Sequence, residues 1–377
     1  RLVCRRSVCD GRLNAMLPLD RQFAESIDGV ARAIAEWTVT ALYERRPDML
    51  ARYGSDGRAL WKAELLNRLQ HLAEAMAADR PQLFVISVEW AKAAFAARGM
   101  DEADLVISLE VLEETRREEL PTQIAARASR FMREGIETAS RGESNWDEGV
   151  LASPMEAAGA DTERARAYLR HLLERHQSRA VDVLLDAVRA DRSVAEVYEA
   201  VIKPALGEIG RMWLLGEATV ADEHYVTVAT QNALSVIRAK LPQARRNGKR
   251  ALAASVGGDL HDIGIRMVAD LLESEGWQVD CLGANMPTAD LVEHTVDEVG
   301  RQQFDLIALS ASTGLAVRGI ASAIDALRAA CPETRVPVMV GGGAFAMVPD
   351  LWKVVGADGC ATSASDAVRV ARELAKP

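Results

Sequence analysis

Apolar and polar positions follow three successive rhythms along the 377 residues. From residue 20 to about 140 apolar side chains recur every three and four positions, the repeat of an amphipathic helix. Ile27, Ala31, Ile34, Ala35, Thr38 and Leu42 make a first helix that stops at Pro47. Leu65, Leu66, Leu69, Leu72 and Ala73 carry a second, over 60–76. Pro81 opens a third through Leu83, Phe84, Val88, Trp90, Ala91 and Phe95, ended by Gly99. A fourth spans 104–119, and Pro121 begins a fifth over 124–136. Short connections between them predict a compact all-helical domain over 20–140. Residues 141–160 lose all period and are rich in Gly, Ser, Glu and Ala, so they read as a linker. Asp161 or Thr162 then caps a four-helix bundle over 161–245, with helices at 162–175, 178–190, 193–214 and 220–241. The third of these is broken near Lys203-Pro204, and 241–249 reads as a second linker.

From residue 250 the rhythm changes to short apolar runs alternating with helical ones. Strands at 251–256, 279–282, 306–310, 336–340 and 359–361 alternate with helices at 265–275, 288–302, 317–330, 345–354 and 365–375. This alternation predicts a doubly wound, flavodoxin-like or Rossmann-like parallel sheet over 250–377. The fold class is therefore multidomain: all-α, then a four-helix bundle, then α/β.

Composition narrows the function. A net charge of -10 argues against a general nucleic-acid surface, so no direct DNA binding is expected. No apolar run reaches the roughly 18 residues of a membrane span. Five cysteines without metal-site spacing suggest a reducing, cytoplasmic setting. Residues 1–19 have no signal-peptide core and read as a disordered leader. Trp37, Trp61, Trp90 and Trp146, with His71, fit either core packing or a pocket for a flat ligand between the helices.

Chemistry-bearing residues cluster where ligands bind such sheets, after the strand ends. The first strand is followed by Gly257-Gly258-Asp259-Leu260-His261-Asp262-Ile263-Gly264, and the second by Gly283-Ala284-Asn285-Met286-Pro287. The third leads into Ser310-Ala311-Ser312-Thr313-Gly314, and the fourth into Gly341-Gly342-Gly343. A histidine two residues after an aspartate can ligate a metal through one ring nitrogen while the carboxylate holds the other. Glycines at a strand end let a bulky planar group approach the backbone.

With these motifs, residues 250–377 resemble the cobalamin-binding domains, whose signature is Asp-x-His-x-x-Gly followed by a serine loop and Gly-Gly. The resemblance implies His261 as the lower cobalt ligand and Asp259 as its hydrogen-bond partner, with Asp262 and Ile263 beside them. It implies that Gly264, Ser310, Ser312, Thr313, Gly341, Gly342 and Gly343 receive the cofactor's nucleotide tail. Here Ser310-Ala311-Ser312 replaces the usual Ser-x-Leu. In the preceding bundle, Trp213 is followed nine residues later by Glu223-His224, which resembles the adenosylcobalamin photoreceptors. There the three residues lie over the upper ligand, which light expels. Leu214 stands where those light-sensing repressors carry a histidine, with His224, His171 and His176 as possible substitutes. An acidic helical domain replaces their winged helix-turn-helix and is similar in placement to that of the photocobilins, which add a bilin. The expectation is a light-sensing adenosylcobalamin protein, not an enzyme, with biliverdin as a possible non-covalent second chromophore. Its output would be a protein partner or self-association. The alternative is a corrinoid protein shuttling a methyl group between methyltransferases.

Overall fold

The computed structural model describes residues 18–142, 152–297, 300–332 and 335–376. The expected leader, Trp146 and much of the first expected linker lie outside them. Among the described residues, the chain opens with α1 (Pro18–Arg45), α2 (Met49–Tyr53), α3 (Gly57–Ala78), α4 (Pro81–Ala97), α5 (Glu102–Glu119) and α6 (Thr122–Ser140). The five periodic segments form helices, and the short α2 is added after Pro47, which cannot donate a backbone hydrogen bond. Asp101 caps α5 by accepting from the Ala103 N–H at 2.9 Å. Trp61 is fully buried, edge-on to Tyr53 and Phe95 at 5.7 and 5.4 Å. Trp37 and Trp90 are exposed, so the tryptophans do not gather around one pocket.

The next segment comprises α7 (Ala160–Leu173), α8 (Gln177–Arg189), α9 (Val194–Val197), α10 (Lys203–Leu214) and α11 (Val220–Arg238). Gly159 precedes α7, and neither Asp161 nor Thr162 caps it; both lie inside its first turn. The expected break before Pro204 is a π turn, Tyr198–Ile202, in which the Lys203 N–H reaches back to the Tyr198 carbonyl. Both expected linkers are packed where they are described. The Ser153 hydroxyl donates to Glu208 at 2.6 Å, and Met155 is buried in the α7–α11 core. The Ala244 and Asn247 N–H groups donate to Ser274 and Gly276 at 3.1 and 3.0 Å.

Five parallel strands follow: β1 (Arg250–Val256), β2 (Gln278–Met286), β3 (Leu306–Ser310), β4 (Val338–Gly341) and β5 (Gly359–Ala361), in the order β2-β1-β3-β4-β5. The helices between and after them are α12 (Ile263–Ser274), α13 (Thr288–Thr295), α14 (Val317–Ala330), α15 (Gly343–Met347), α16 (Leu351–Val354) and α17 (Ala364–Leu374). β2 is longer and α13 shorter than expected. The segment expected as one helix over 345–354 is split at Pro349, with Asp350 left-handed at φ 60°. Strand order reverses between β1 and β3, which opens a crevice at their carboxyl ends.

The helical segments pack on different faces of the sheet unit. Side chains of α1–α6 form one core with Leu252, Ile307 and Val338 of the sheet and Ile320 and Ile324 of α14. Those of α7–α11 form another with Ile263, Met267 and Leu271 of α12. Arg318 of α14 ties the first contact together: its Nε donates to Glu74 of α3 at 2.9 Å, and it pairs with Asp28 of α1 at 2.5 Å. No described helix is long and apolar enough to cross a membrane.

Candidate functional site

The glycine turn after β1 is built around one carboxylate. Asp259 is almost wholly buried. Its Oδ1 accepts from the His261 N–H at 3.0 Å and pairs with His261 Nδ1 at 2.7 Å, while its Oδ2 accepts from the Ser312 N–H at 2.6 Å. The Ser255 hydroxyl donates to the His261 carbonyl at 2.7 Å, and Asn285 donates its N–H to the Asp259 carbonyl at 2.9 Å. Gly258, at φ 88°, makes the left-handed step that the turn needs. The result is a rigid loop with its imidazole outward, 63% of the His261 side chain being exposed. A carboxylate on Nδ1 fixes the proton there and leaves Nε2 with a lone pair, the form in which histidine binds a metal. The same hydrogen bond raises the His261 pKa against the effect of burial, with further support from the charges of Asp259, Glu223 and Asp262. Burial works against ionisation of Asp259, but hydrogen bonds from His261 and the Ser312 backbone hold its pKa below the usual carboxylate value.

Beside this loop a cavity of about 280 Å³ runs between the sheet edge and the bundle. Gly264, Ser310, Ser312, Gly341, Gly342 and Gly343 line it. Thr313 does not; its carbonyl instead accepts from Ala316 as a short helical turn begins. The three glycines have a second reason to lack a Cβ. One at Gly342 (φ 102°) would strike the Ala311 carbonyl; at Gly343 and Gly341 it would stand 2.5 and 2.9 Å from the Ser312 and Ala361 carbonyl oxygens. Besides the room they leave for a ligand, these glycines let three loops close on one another. Asp262 and Ile263 also take structural places. The Asp262 carboxylate accepts from Gln231 of α11 at 2.8 Å and Arg266 at 2.6 Å, and Ile263 is buried in the core shared with the bundle.

The bundle rim explains the Trp-x9-Glu-His spacing. Trp213 lies in the last turn of α10, Gly216 at φ 74° ends the helix, and Thr219 and Asp222 form a reciprocal capping box that starts α11. Glu223 and His224 therefore fall on the first turn of the next helix. His224 Nδ1 pairs with Glu223 Oε2 at 2.7 Å, and Thr227 donates to Glu223 Oε1 at 2.9 Å. Glu223, Thr227 and Gln231 recur every four residues, so they share one face of α11, which Gln231 anchors to the His261 loop. The effect of Glu223 on the His261 pKa places its charge within electrostatic reach of that imidazole. Trp213 is 44% exposed, and His224 is exposed on the following helix. His171 and His176 do not join them; both face Glu174 at the turn between α7 and α8.

Several site residues escaped the sequence reading. Glu199 and Lys203, from the π turn and the start of α10, line the cavity opposite Thr362 and Ser363 after β5. Glu199 accepts from the Ala364 N–H at 2.8 Å, which closes that end. Leu260, between Asp259 and His261, is 74% exposed, an apolar side chain left in water beside that imidazole. These features fit a corrinoid: a free Nε2 on a fixed imidazole, exposed apolar Leu260 and Trp213, and a glycine-lined cavity for a nucleotide tail. In the helical segment α1–α6, Trp61 is spent in the core.

Comparison with known proteins gives the same cofactor. Residues 249–372 and 164–238 match two family models, each described as a B12 binding domain. Dimethylamine corrinoid protein 2 of Methanosarcina mazei is 30% identical over 199 residues, 51% of this chain and 90% of that protein. Monomethylamine corrinoid protein 1 of Methanosarcina barkeri is 31% identical over 152 residues, 39% of this chain and 68% of that protein. The solved structure of the Methanosarcina barkeri monomethylamine corrinoid protein shares the fold, with a TM-score of 0.50 at 21% identity, over 57% of this chain and 100% of that one. These relatives are thus named as corrinoid proteins of methylamine systems. The chain belongs to the B12-binding corrinoid protein family.

Proposed function

We propose that this protein is a corrinoid methyl carrier, a component of a methyltransferase system rather than an enzyme in itself. The observation that carries the reading is the Asp259–His261 pair at 2.7 Å, an imidazole held by a buried carboxylate with its other nitrogen free. Cobalamin supplies, when bound, a cobalt centre able to accept and release a methyl group. Everything else falls to the chain. Asp259 holds the proton on Nδ1 of His261 and orients Nε2 as the lower ligand. Gly264, Ser310, Ser312, Gly341, Gly342 and Gly343 form the cradle for the nucleotide tail, with Thr313 at its border. Trp213, Glu223 and His224, at the junction of α10 and α11, would border the bound cofactor on the side that meets a methyltransferase partner. The division into 20–140, 161–245 and 250–377 belongs to this proposal, with the first unit as an interaction domain.

A second reading, a light sensor holding adenosylcobalamin, is favoured by one observation. Trp213 is exposed at the end of α10, and the Glu223–His224 pair opens the helix that follows it, an order that would suit a cap over a bulky upper ligand. Its output would be a protein partner or self-association, with biliverdin as a possible further chromophore.

One experiment separates the two. The protein is loaded with methylcobalamin or adenosylcobalamin and kept dark or under green light, with and without biliverdin. Absorbance, elution volume and methyl transfer in the dark to a thiol, with a methylcobamide:thiol methyltransferase supplied, are recorded. The carrier reading expects dark methyl transfer and an elution volume indifferent to light. No transfer, with a light-dependent elution volume of the adenosyl form, would replace it with the sensor. A red-absorbing species with biliverdin would add the bilin. His261→Ala is expected to lose the absorbance of the histidine-ligated form.

A further inference from the structure

The turn between α7 and α8 carries a second group of ligating side chains, apart from the cavity and from His261. α7 ends in a Schellman motif: Arg175 is left-handed at φ 63°, its N–H donates to Leu172 at 2.9 Å, and the His176 N–H donates back to the His171 carbonyl at 2.7 Å. That geometry folds the side chain after the turn onto the one in the last helical turn, and the pair is usually apolar. Here both are histidines, with ring centroids 6.4 Å apart. Glu174 lies between them, its Oε2 3.6 Å from His171 Nδ1 and 3.4 Å from His176 Nδ1. One ligand atom from each of the three fits within 4.8 Å of the other two. Ligand atoms on a tetrahedral zinc ion, with bonds of about 2.0–2.1 Å, stand about 3.4 Å apart. The two carboxylate–imidazole distances already match that spacing. A further sign is the His171 Nδ1 atom, which is buried and has no hydrogen-bond partner. A buried polar atom left in that state costs stability unless a ligand satisfies it.

We propose that His171, Glu174 and His176 form a zinc site with an open fourth position. Two imidazoles and one carboxylate are a donor set suited to zinc, and three protein ligands leave room for water or a further donor. The turn is coupled to the rim of the corrinoid site. Arg175, between the ligands, pairs with Asp222 of the α11 capping box at 2.5 Å and lies 4.3 Å from the centre of the Tyr225 ring. A metal that fixes the turn therefore steadies the first turn of α11, where Glu223 and His224 reside. The site stands on its own geometry and is independent of what the upper face of the corrinoid does.

The test uses the full chain, with and without bound cobalamin, stripped with a chelator and titrated with zinc. Bound metal is measured by elemental analysis and melting temperature by circular dichroism. Wild type is expected to take up one zinc that His176→Ala lacks, with or without cobalamin, and to melt higher in zinc. Loss of a direct ligand should weaken binding by more than the roughly 10–100-fold typical of lost outer partners. Glu174→Gln, a change at an exposed side chain, should weaken it too, while His224→Ala should not. Zinc bound equally by wild type, His176→Ala and Glu174→Gln would overturn the proposal, as would a wild type that takes up no zinc at this stoichiometry.

Discussion

Asp259 receives three donors: the backbone N–H groups of His261 and Ser312 and the His261 ring. An asparagine there offers one acceptor oxygen and turns an NH2 towards a donor that then goes unsatisfied. Asp259→Asn should therefore loosen the His261 ring and weaken cobalamin binding by about 10–100-fold, the usual cost of losing a metal ligand's partner. Equilibrium dialysis against hydroxocobalamin checks this, and unchanged affinity would show that the carboxylate does not hold the ligand. This part of the site was legible because it is local: Asp259, His261 and Gly264 sit within one turn whose strand and helix are announced by their apolar patterns. Glu199, Lys203, Thr362 and Ser363 were not, because they meet across more than 150 residues of chain only after the sheet forms and the bundle docks. Even the three glycines were legible only by half. Their number pointed to a close approach, but the partner of that approach is first the neighbouring backbone.

At the scale of elements, the hairpin of α10 and α11 turns a spacing into a geometry. Trp213 and Glu223 are separated by a helix end, a left-handed glycine, and a capping box, each of which occupies a set number of residues. Thr219 does most to set where α11 begins: its hydroxyl accepts from the Asp222 N–H at 3.1 Å and donates to the Asp222 carboxylate at 2.6 Å. Thr219→Ala should lower stability by about 0.5–2 kcal/mol, the usual cost of an N-cap. The loss should appear first as faster hydrogen exchange in the first turn of α11, around Glu223 and His224. Uniform exchange across the bundle would instead mean that the rim is held by packing alone. Helix positions here followed the apolar period closely, whereas ends did not. Gly159 took the place expected of Asp161 or Thr162, and a π turn replaced a simple break before Pro204. Period records which face is buried over many residues, while an end depends on a few hydrogen bonds that tertiary contacts can move.

At the scale of the whole molecule, α3 connects the helical segment to the sheet. Glu74 on α3 holds Arg318, which follows the serine loop at the sheet edge, and Arg98, just after α4, donates to the Leu214 carbonyl beside Trp213 at 2.8 Å. The helical segment thus contacts both α14 of the sheet unit and the end of α10, which its amphipathic pattern alone could not foretell. One turn before Glu74 lies His71, whose Nδ1 is 2.9 Å from the Asn67 carbonyl. Burial, and then the positive charge of Arg68, lower its pKa from 6.5 to about 4. The folded state therefore prefers the neutral ring, and between these values the unfolded chain binds more protons. The stabilisation is present above about pH 6.5 and is lost as pH falls through about 4. Its size is at most about 3 kcal/mol, by the usual 1.36 kcal/mol for each pKa unit. Because α1–α6 share a core with β1, β3 and α14, protonation should weaken the sheet unit as well as α3. Urea midpoints at pH 7 and pH 5 should fall more in wild type than in His71→Gln, followed by both helix content and the fluorescence of Trp277 in the sheet unit. If the variant keeps the wild-type slope, His71 is not the acid-sensitive group. If only the helical signal moves, α3 does not carry the effect to the sheet.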